Sequence, residues 1–394
     1  MGGDPTIRLK EKRATIRMIL LILMVVPLSG CWDQDEVSHV GFIISAGIDS
    51  TSNDKVDLTV QVFIPNPTSG GTSEGGGEGR VFTYTKRGDS MPEALSSLQK
   101  RLPRTLSWDH TKLIIIGEQL AARGMRDEID FLFRDVEPRE QANFLVCKGT
   151  AMKLLQSLDD PNTYDTIIRI ADMPSVGTYN MNYVEESIAG ESDAFILPVA
   201  DTIELMMSKS PKTVLTIKGV AVIKDVKLAG WMSEQDSSGL HLGFQWLHQT
   251  SIGHNLSVTV KKDGGKITAK LVRRKLQLSP SIRNGKWSMK VKLKVDADIV
   301  QNSSSIDLLS SKDSLRALQG VFEDEIKQML QRTLDEVQTR MDADVVGFAR
   351  SFHKKHPHQW KKVEREWDSV FRTIEVKLEV ICNLRKSGIS NVKI

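Results

Sequence analysis

The chain has 394 residues, 53 basic and 50 acidic side chains, a formal charge of +3, and 40% hydrophobic residues. This is enough length and apolar content for two or three packed domains, which excludes a low-complexity or disordered chain, and three cysteines exclude a disulfide scaffold. Residues 1–30 hold five basic and two acidic groups, so without them the chain keeps 48 of each sign, and nothing in its net charge points to a nucleic-acid partner.

At the N-terminus, Arg8, Lys10, Lys12, Arg13 and Arg17 precede an apolar run of eleven residues from Met18 to Leu28. A spanning helix needs ~20 residues, so a basic leader and so short a run read as an export signal rather than an anchor. The run ends in Leu28-Ser29-Gly30-Cys31, which resembles the bacterial lipobox. That resemblance implies diacylglycerol on the Cys31 thiol, cleavage after residue 30, and an N-acyl (palmitate-type) chain on the new terminus. Two chains at ~0.8 kcal/mol per buried methylene hold a protein stably at a membrane, and Trp32 is placed for the headgroup level.

"HVGFIISAGID" and "KVDLTVQVFIP" are rich in β-branched residues and predict an antiparallel pair joined by "STSND". Residues 66–80 are glycine-rich and are expected to be a flexible loop. No Gly-Lys-Ser/Thr follows them, and Glu74 and Glu78 disfavour a phosphate. "RVFTYTKRG" is a strand, and Ser90 with Glu93 forms a capping box opening a helix from about Met91 to Leu102. A buried strand at Leu113 to Ile116 leads into a short helix capped by Gly124, then a second helix from Met125 to Phe133. "NFLVCKG" and "TAMKLLQSL" continue the strand–helix alternation, giving a mixed α/β domain over residues 31–200 with a partly parallel sheet.

Residues 201–254 are expected to form a small middle domain, with a strand from Val214 to Ile223, a turn at Lys224-Asp225, a strand to Trp231 and a helix ending near His248. Over residues 255–394, "LSVTV" turns at "KKDGGK", and Trp287 to Ile299 alternate apolar and polar side chains as a half-buried strand. From Leu315 to Met341 apolar residues recur every three or four positions, so a long helix has one apolar face. A last strand puts Ile374 to Cys382 on one side. The fold class is therefore α+β, ending in a C-terminal antiparallel sheet packed with long helices.

The pieces "GCWDQDEV", "SAGID", "WDHTKLIIIGEQLAARGM", "FRDVEPRE", "DADVVGFA", "HPHQWKKVEREWDSVF" and "VKLEVICNLRKSG", in this order and spacing, resemble the Ger(x)C family, the lipoprotein C subunits of the nutrient-germinant receptors of spore-forming bacteria. The resemblance spans nearly all of the chain after Cys31. It implies polytopic A and B partner subunits, a place on the outer face of the spore's inner membrane, a role in the germination response, and no catalysis.

The residues themselves offer little chemistry. Asp109-His110 stands before a buried strand, but no nucleophile motif accompanies it, and hydrogen bonds tying the strand start are the simpler role. His353, His356 and His358 surround Pro357, yet Lys354, Lys355, Lys361 and Lys362 repel a cation, so no metal or other cofactor is expected. Trp360 and Trp367, seven residues apart, share a helical face for the core or for a partner. Cys147 and Cys382 lie in apolar runs as small hydrophobes, with a disulfide between them as the alternative. The rival function is a lipid-anchored extracytoplasmic solute-binding protein, which needs two α/β lobes around a polar cleft.

Overall fold

Two sheets organise the chain in a computed structural model that describes residues 40–51, 54–64, 80–134, 141–158, 163–173, 176, 179–207, 210–244, 256–306 and 312–386. The lipobox Leu28 to Cys31, Trp32 and residues 66–79 of the glycine-rich stretch lie outside the described residues. Residues Gly41–Ile394 form a compact unit in themselves.

The first sheet opens with an antiparallel meander: β1 (Val40–Ser50), β2 (Val56–Ile64) and β3 (Arg80–Gly88), with Ala46 opposite Val60 and Val60 opposite Tyr84. Helix α1 (Met91–Gln99) starts at Ser90, whose Oγ accepts the Glu93 N–H at 3.4 Å as the capping box requires. After short β4 (Thr105–Ser107), β5 (Leu113–Gly117) pairs parallel with β1, and β6 (Asn143–Cys147) pairs parallel with β5. Both strands are wholly buried, because helices cover both faces. Ile114 and Ile116 point into the larger core, whereas Leu113 and Ile115 meet Leu154 and Ile167 on the other side.

Helices α2 (Glu118–Arg123) and α3 (Arg126–Arg134) lie between β5 and β6, and α4 (Ala151–Ser157), α5 (Thr163–Ala171) and α6 (Met181–Ile188) between β6 and the next strand. The long β7 (Ala194–Met207) pairs parallel with β6, then antiparallel with β8 (Ser210–Lys224), and β9 (Lys227–Met232) closes the order β3-β2-β1-β5-β6-β7-β8-β9. Residues 201–232, expected within a middle domain, thus extend the first sheet. The β8–β9 turn lies at Asp225 and Val226, both at positive φ, one residue beyond the expected position. Instead of the helix expected to follow, a single π turn spans Leu240–Phe244, and residues 245–250 lie outside the described residues.

The second sheet runs β10 (Ser257–Lys262), β11 (Gly265–Arg283), β12 (Lys286–Asn302) and β13 (Glu375–Lys386). Asp263-Gly264 and Asn284-Gly285, all at positive φ, make the two tight hairpin turns. Helix α7 (Lys312–Asp335) buries Leu318, Phe322, Ile326, Leu330 and Leu334 and runs into a π turn at Glu336–Arg340. Three short helices follow, α8 (Phe348–Lys355), α9 (Pro357–Val363) and α10 (Trp367–Thr373). The α+β class holds, with one correction: β13 is parallel to β12, Val291 lying beside Leu378, so the C-terminal sheet is antiparallel only through its first three strands. The helical connection from β12 returns the chain to the end where β12 began, as a parallel pair requires. One set of buried side chains runs from Ile43 through Val222, Leu240 and Phe244 to Phe348 and Leu384, so the two sheets share a core.

Candidate functional site

The sheets meet around a buried carboxylate. Asp344, 3% exposed, stands four residues before α8. Its Oδ1 accepts the Phe348 N–H at 3.0 Å, and its Oδ2 accepts the Ala349 N–H at 2.6 Å and the Trp367 Nε1–H at 3.1 Å. Burial pushes this carboxyl above its ordinary range, against the downward pull of the three donors. Gly347 turns the chain into α8 at φ +78°, where a side chain would be strained.

Aromatic rings pack round this cap. Trp367 lies 4.9 Å from Trp360, 5.8 Å from Phe352 and 6.0 Å from Trp287 between ring centroids. Trp360 and Trp367 are 2% and 3% exposed, so both belong to the core and neither is offered to a partner. The β8–β9 hairpin is tied to the same region: Lys224 Nζ reaches Asp368 at 2.6 Å and donates to the Asp342 carbonyl at 2.5 Å, while Ser192 Oγ donates to the Asp344 carbonyl at 3.0 Å.

Beside the cap is a cavity of about 450 Å³, between α6, the turn 189–192 and β7 on one side and Phe244 and residues 344–350 on the other. Glu186, Glu191 and Arg350 line it, and Glu191 Oε1 is 3.2 Å from His353 Nδ1. Deeper in, burial pushes the Tyr183 phenol up to about 12, so it stays protonated, and its oxygen accepts the Ile196 N–H at 3.2 Å. The space would admit a small polar solute.

A second carboxylate does for the first sheet what Asp344 does for the junction. Asp49, 4% exposed, accepts the Ala151 N–H at 2.8 Å on Oδ1 and the Met152 N–H at 2.9 Å on Oδ2, capping α4 from across the sheet. The approach is close enough that a Cβ on Gly117 would fall 1.9 Å from Asp49 Oδ1. Neither aspartate was singled out from the sequence, although each sits in a stretch carrying the family resemblance, "SAGID" and "DADVVGFA".

The residues that were singled out are dispersed. Asp109 and His110 are exposed; Asp109 shares hydrogen bonds with Ser107 Oγ at 3.2 Å, and the His110 ring lies 4.6 Å from Phe42. His353 stacks on Trp360 at 5.6 Å and His356 leans on Phe352 at 6.3 Å, and among the described residues no three His, Cys, Asp or Glu groups gather as a metal set. Cys147 and Cys382 are free and buried in different sheets, and burial pushes both thiols up to about 12.

Residues 33–199 match the family described as spore germination protein N-terminal domain, and residues 218–388 match spore germination B3/GerAC like, C-terminal. Spore germination protein KC of Bacillus subtilis (strain 168) is 27% identical, over 96% of this chain and 97% of its own. Spore germination protein B3 of the same organism is 24% identical, over 92% and 95%. The crystal structure of the GerBC protein shares the fold at a TM-score of 0.57 and 20% identity, covering 86% of this chain and 96% of that one. With both halves matched in order and the fold shared along its length, this chain belongs to the Ger(x)C family of spore germination proteins.

Proposed function

We propose that the chain is a lipid-anchored, non-catalytic subunit of a membrane-bound nutrient-germinant receptor. The observation that carries this reading is the family match itself, which begins at residue 33, two residues after Cys31, and covers residues 33–199 and 218–388. In this reading Cys31 carries the diacylglycerol and N-acyl chains, residues 1–30 are removed, and the body stands on the outer face of the spore's inner membrane. Among the described residues no helix is long and apolar enough to cross a membrane, and in this reading the attachment is the lipid on Cys31. Polytopic A and B subunits are the partners, and the body acts as a scaffold: the buried Asp49 and Asp344 are used in capping helices, the buried Glu128 in an ion pair with Arg123, and Trp360 and Trp367 in packing.

The test uses spores. Deleting the chain, or substituting Cys31→Ala, should abolish germination in response to at least one nutrient, while amino acids, sugars and nucleosides leave the melting temperature of the isolated body unchanged. A saturable rise in melting temperature with one nutrient, at ~2.7 kcal/mol of stabilisation for a ligand at a hundred times its Kd, would support the solute-binding alternative with the junction cavity as its site.

A further inference from the structure

The charge of this protein is unevenly placed. Between residues 257 and 302, which form β10 to β12, twelve lysines and arginines stand against three aspartates, a surplus of nine. The rest of the chain after residue 30 is correspondingly acidic, with 36 basic and 45 acidic groups. Strand alternation sends most of the surplus to the face turned away from α7, since Met289, Val291, Leu293 and Val295 are buried on the inner side while Lys290, Lys292 and Lys294 lie between them.

That outward face repels itself. Lys275 is directly opposite Lys294 on the β11–β12 ladder, and Lys377 is opposite Lys290 on β12–β13. Like charges in such positions destabilise a sheet. Most acids of the face are already engaged, Glu379 by Lys290 and Lys292, Asp298 by Arg385 at 2.9 Å, and Asp296 by Asn383 at 3.0 Å, and Glu375, opposite Ser288, stands at the edge of the face. Two β-bulges add apolar tips, for Val272 and Val300 are the extra residues at the register shifts of β11–β12 and are 47% and 54% exposed.

We propose that this face docks on an anionic lipid headgroup layer. The proposal rests on the membrane-anchored reading above for its geometry, since a body tethered at residue 31 stays near the bilayer. The side chains favour lipid over protein as the occupant. Protein interfaces enrich aromatics and arginine and deplete lysine, whereas this face is led by lysines and holds no aromatic ring. Lysine is a hydrated point charge suited to a diffuse layer of phosphates, and exposed valines among cations match a surface that settles at the headgroup level.

The test is co-sedimentation of the compact unit Gly41–Ile394, without leader or Cys31, with phosphatidylcholine vesicles containing or lacking about one-third phosphatidylglycerol. Binding to the anionic vesicles, loss in high salt, and no binding to the neutral ones are expected. At about fivefold per cation near such a surface, Lys275→Gln, Lys294→Gln and Lys377→Gln together should weaken partitioning by roughly a hundredfold. Because these changes relieve repulsion, the melting temperature should hold or rise, which separates lost docking from lost folding. Failure of the parent unit to sediment in low salt, as an acidic protein occupant would give, or equal partitioning of the triple variant, overturns the proposal. Since the tested unit lacks Cys31, neither result bears on lipidation, and a failure of lipidation would leave the vesicle result standing.

Discussion

Replacing Asp344 by alanine should be among the most costly single changes in the C-terminal half. The carboxylate satisfies three buried donors, the N–H groups of Phe348 and Ala349 and the Trp367 indole, at 3.0, 2.6 and 3.1 Å. Each stranded donor costs ~1–3 kcal/mol, and the variant recovers part of this by no longer holding a desolvated charge, leaving a net loss of about 3–5 kcal/mol. Trp367→Phe removes one donor and keeps most of the ring, and should cost only about 1–2 kcal/mol. The two losses should not add, because both act on one hydrogen bond. Burial raises the native pKa of Asp344 above its value in the unfolded chain, so its ionisation favours unfolding. Its contribution to stability is greatest below about pH 4 and declines as pH climbs through the native value. Urea unfolding followed by circular dichroism should therefore show a wider gap between parent and Asp344→Ala near pH 4 than near pH 7. A cost under about 1 kcal/mol at both, or a gap that widens with rising pH, would refute the capping argument.

Gly117→Ala places a Cβ 1.9 Å from Asp49 Oδ1 and should disturb the α4 cap, lowering stability by about 2 kcal/mol in the same assay; an unchanged midpoint would show that Asp49 can retreat at no cost. In a Cys31→Ser chain, Cys147 and Cys382, with pKa values pushed up to about 12, should resist Ellman's reagent until the protein unfolds, and rapid labelling of the native form would contradict their burial. Glu379 is held down to about 2 by Lys290 and Lys292, so its stabilising effect should be present above about pH 4.5 and fade as pH falls toward 2, with Glu379→Gln and parent converging at the acid end. Divergence at acid pH would count against that ion pair.

Much of the fold was legible because its signals are local. The Ser90–Glu93 capping box, the β-branched runs of β1 and β2, and the alternation from Trp287 to Ile299 each carry their own period or cap. Pairing direction does not: β13 lies parallel to β12 because the helices after α7 return the chain to one end of the sheet, and no residue in β13 records that. The domain boundary expected at residue 200 falls inside β7, where a register shift between Pro198 and Ala200 already interrupts the ladder. The apolar face of α7 continues past Asp335 only because a π turn inserts a wider step, keeping Val337 and Met341 buried. The Asp344 cap was hidden for a related reason. One of its donors comes from Trp367, 23 residues further on, so the sequence showed an acid before a helix and a tryptophan on a helical face without showing that they meet.

The central claim is that this chain is a lipid-held subunit of a receptor complex, and the most direct measurement is a pull-down from detergent-solubilised spore membranes with the tagged full-length chain as bait. Polytopic membrane subunits should co-purify with a bait whose N-terminal residue is an acylated Cys31, and both the acylation and the recovery from the membrane fraction should be lost in Cys31→Ala. A parent chain that comes down alone and unacylated would contradict the account.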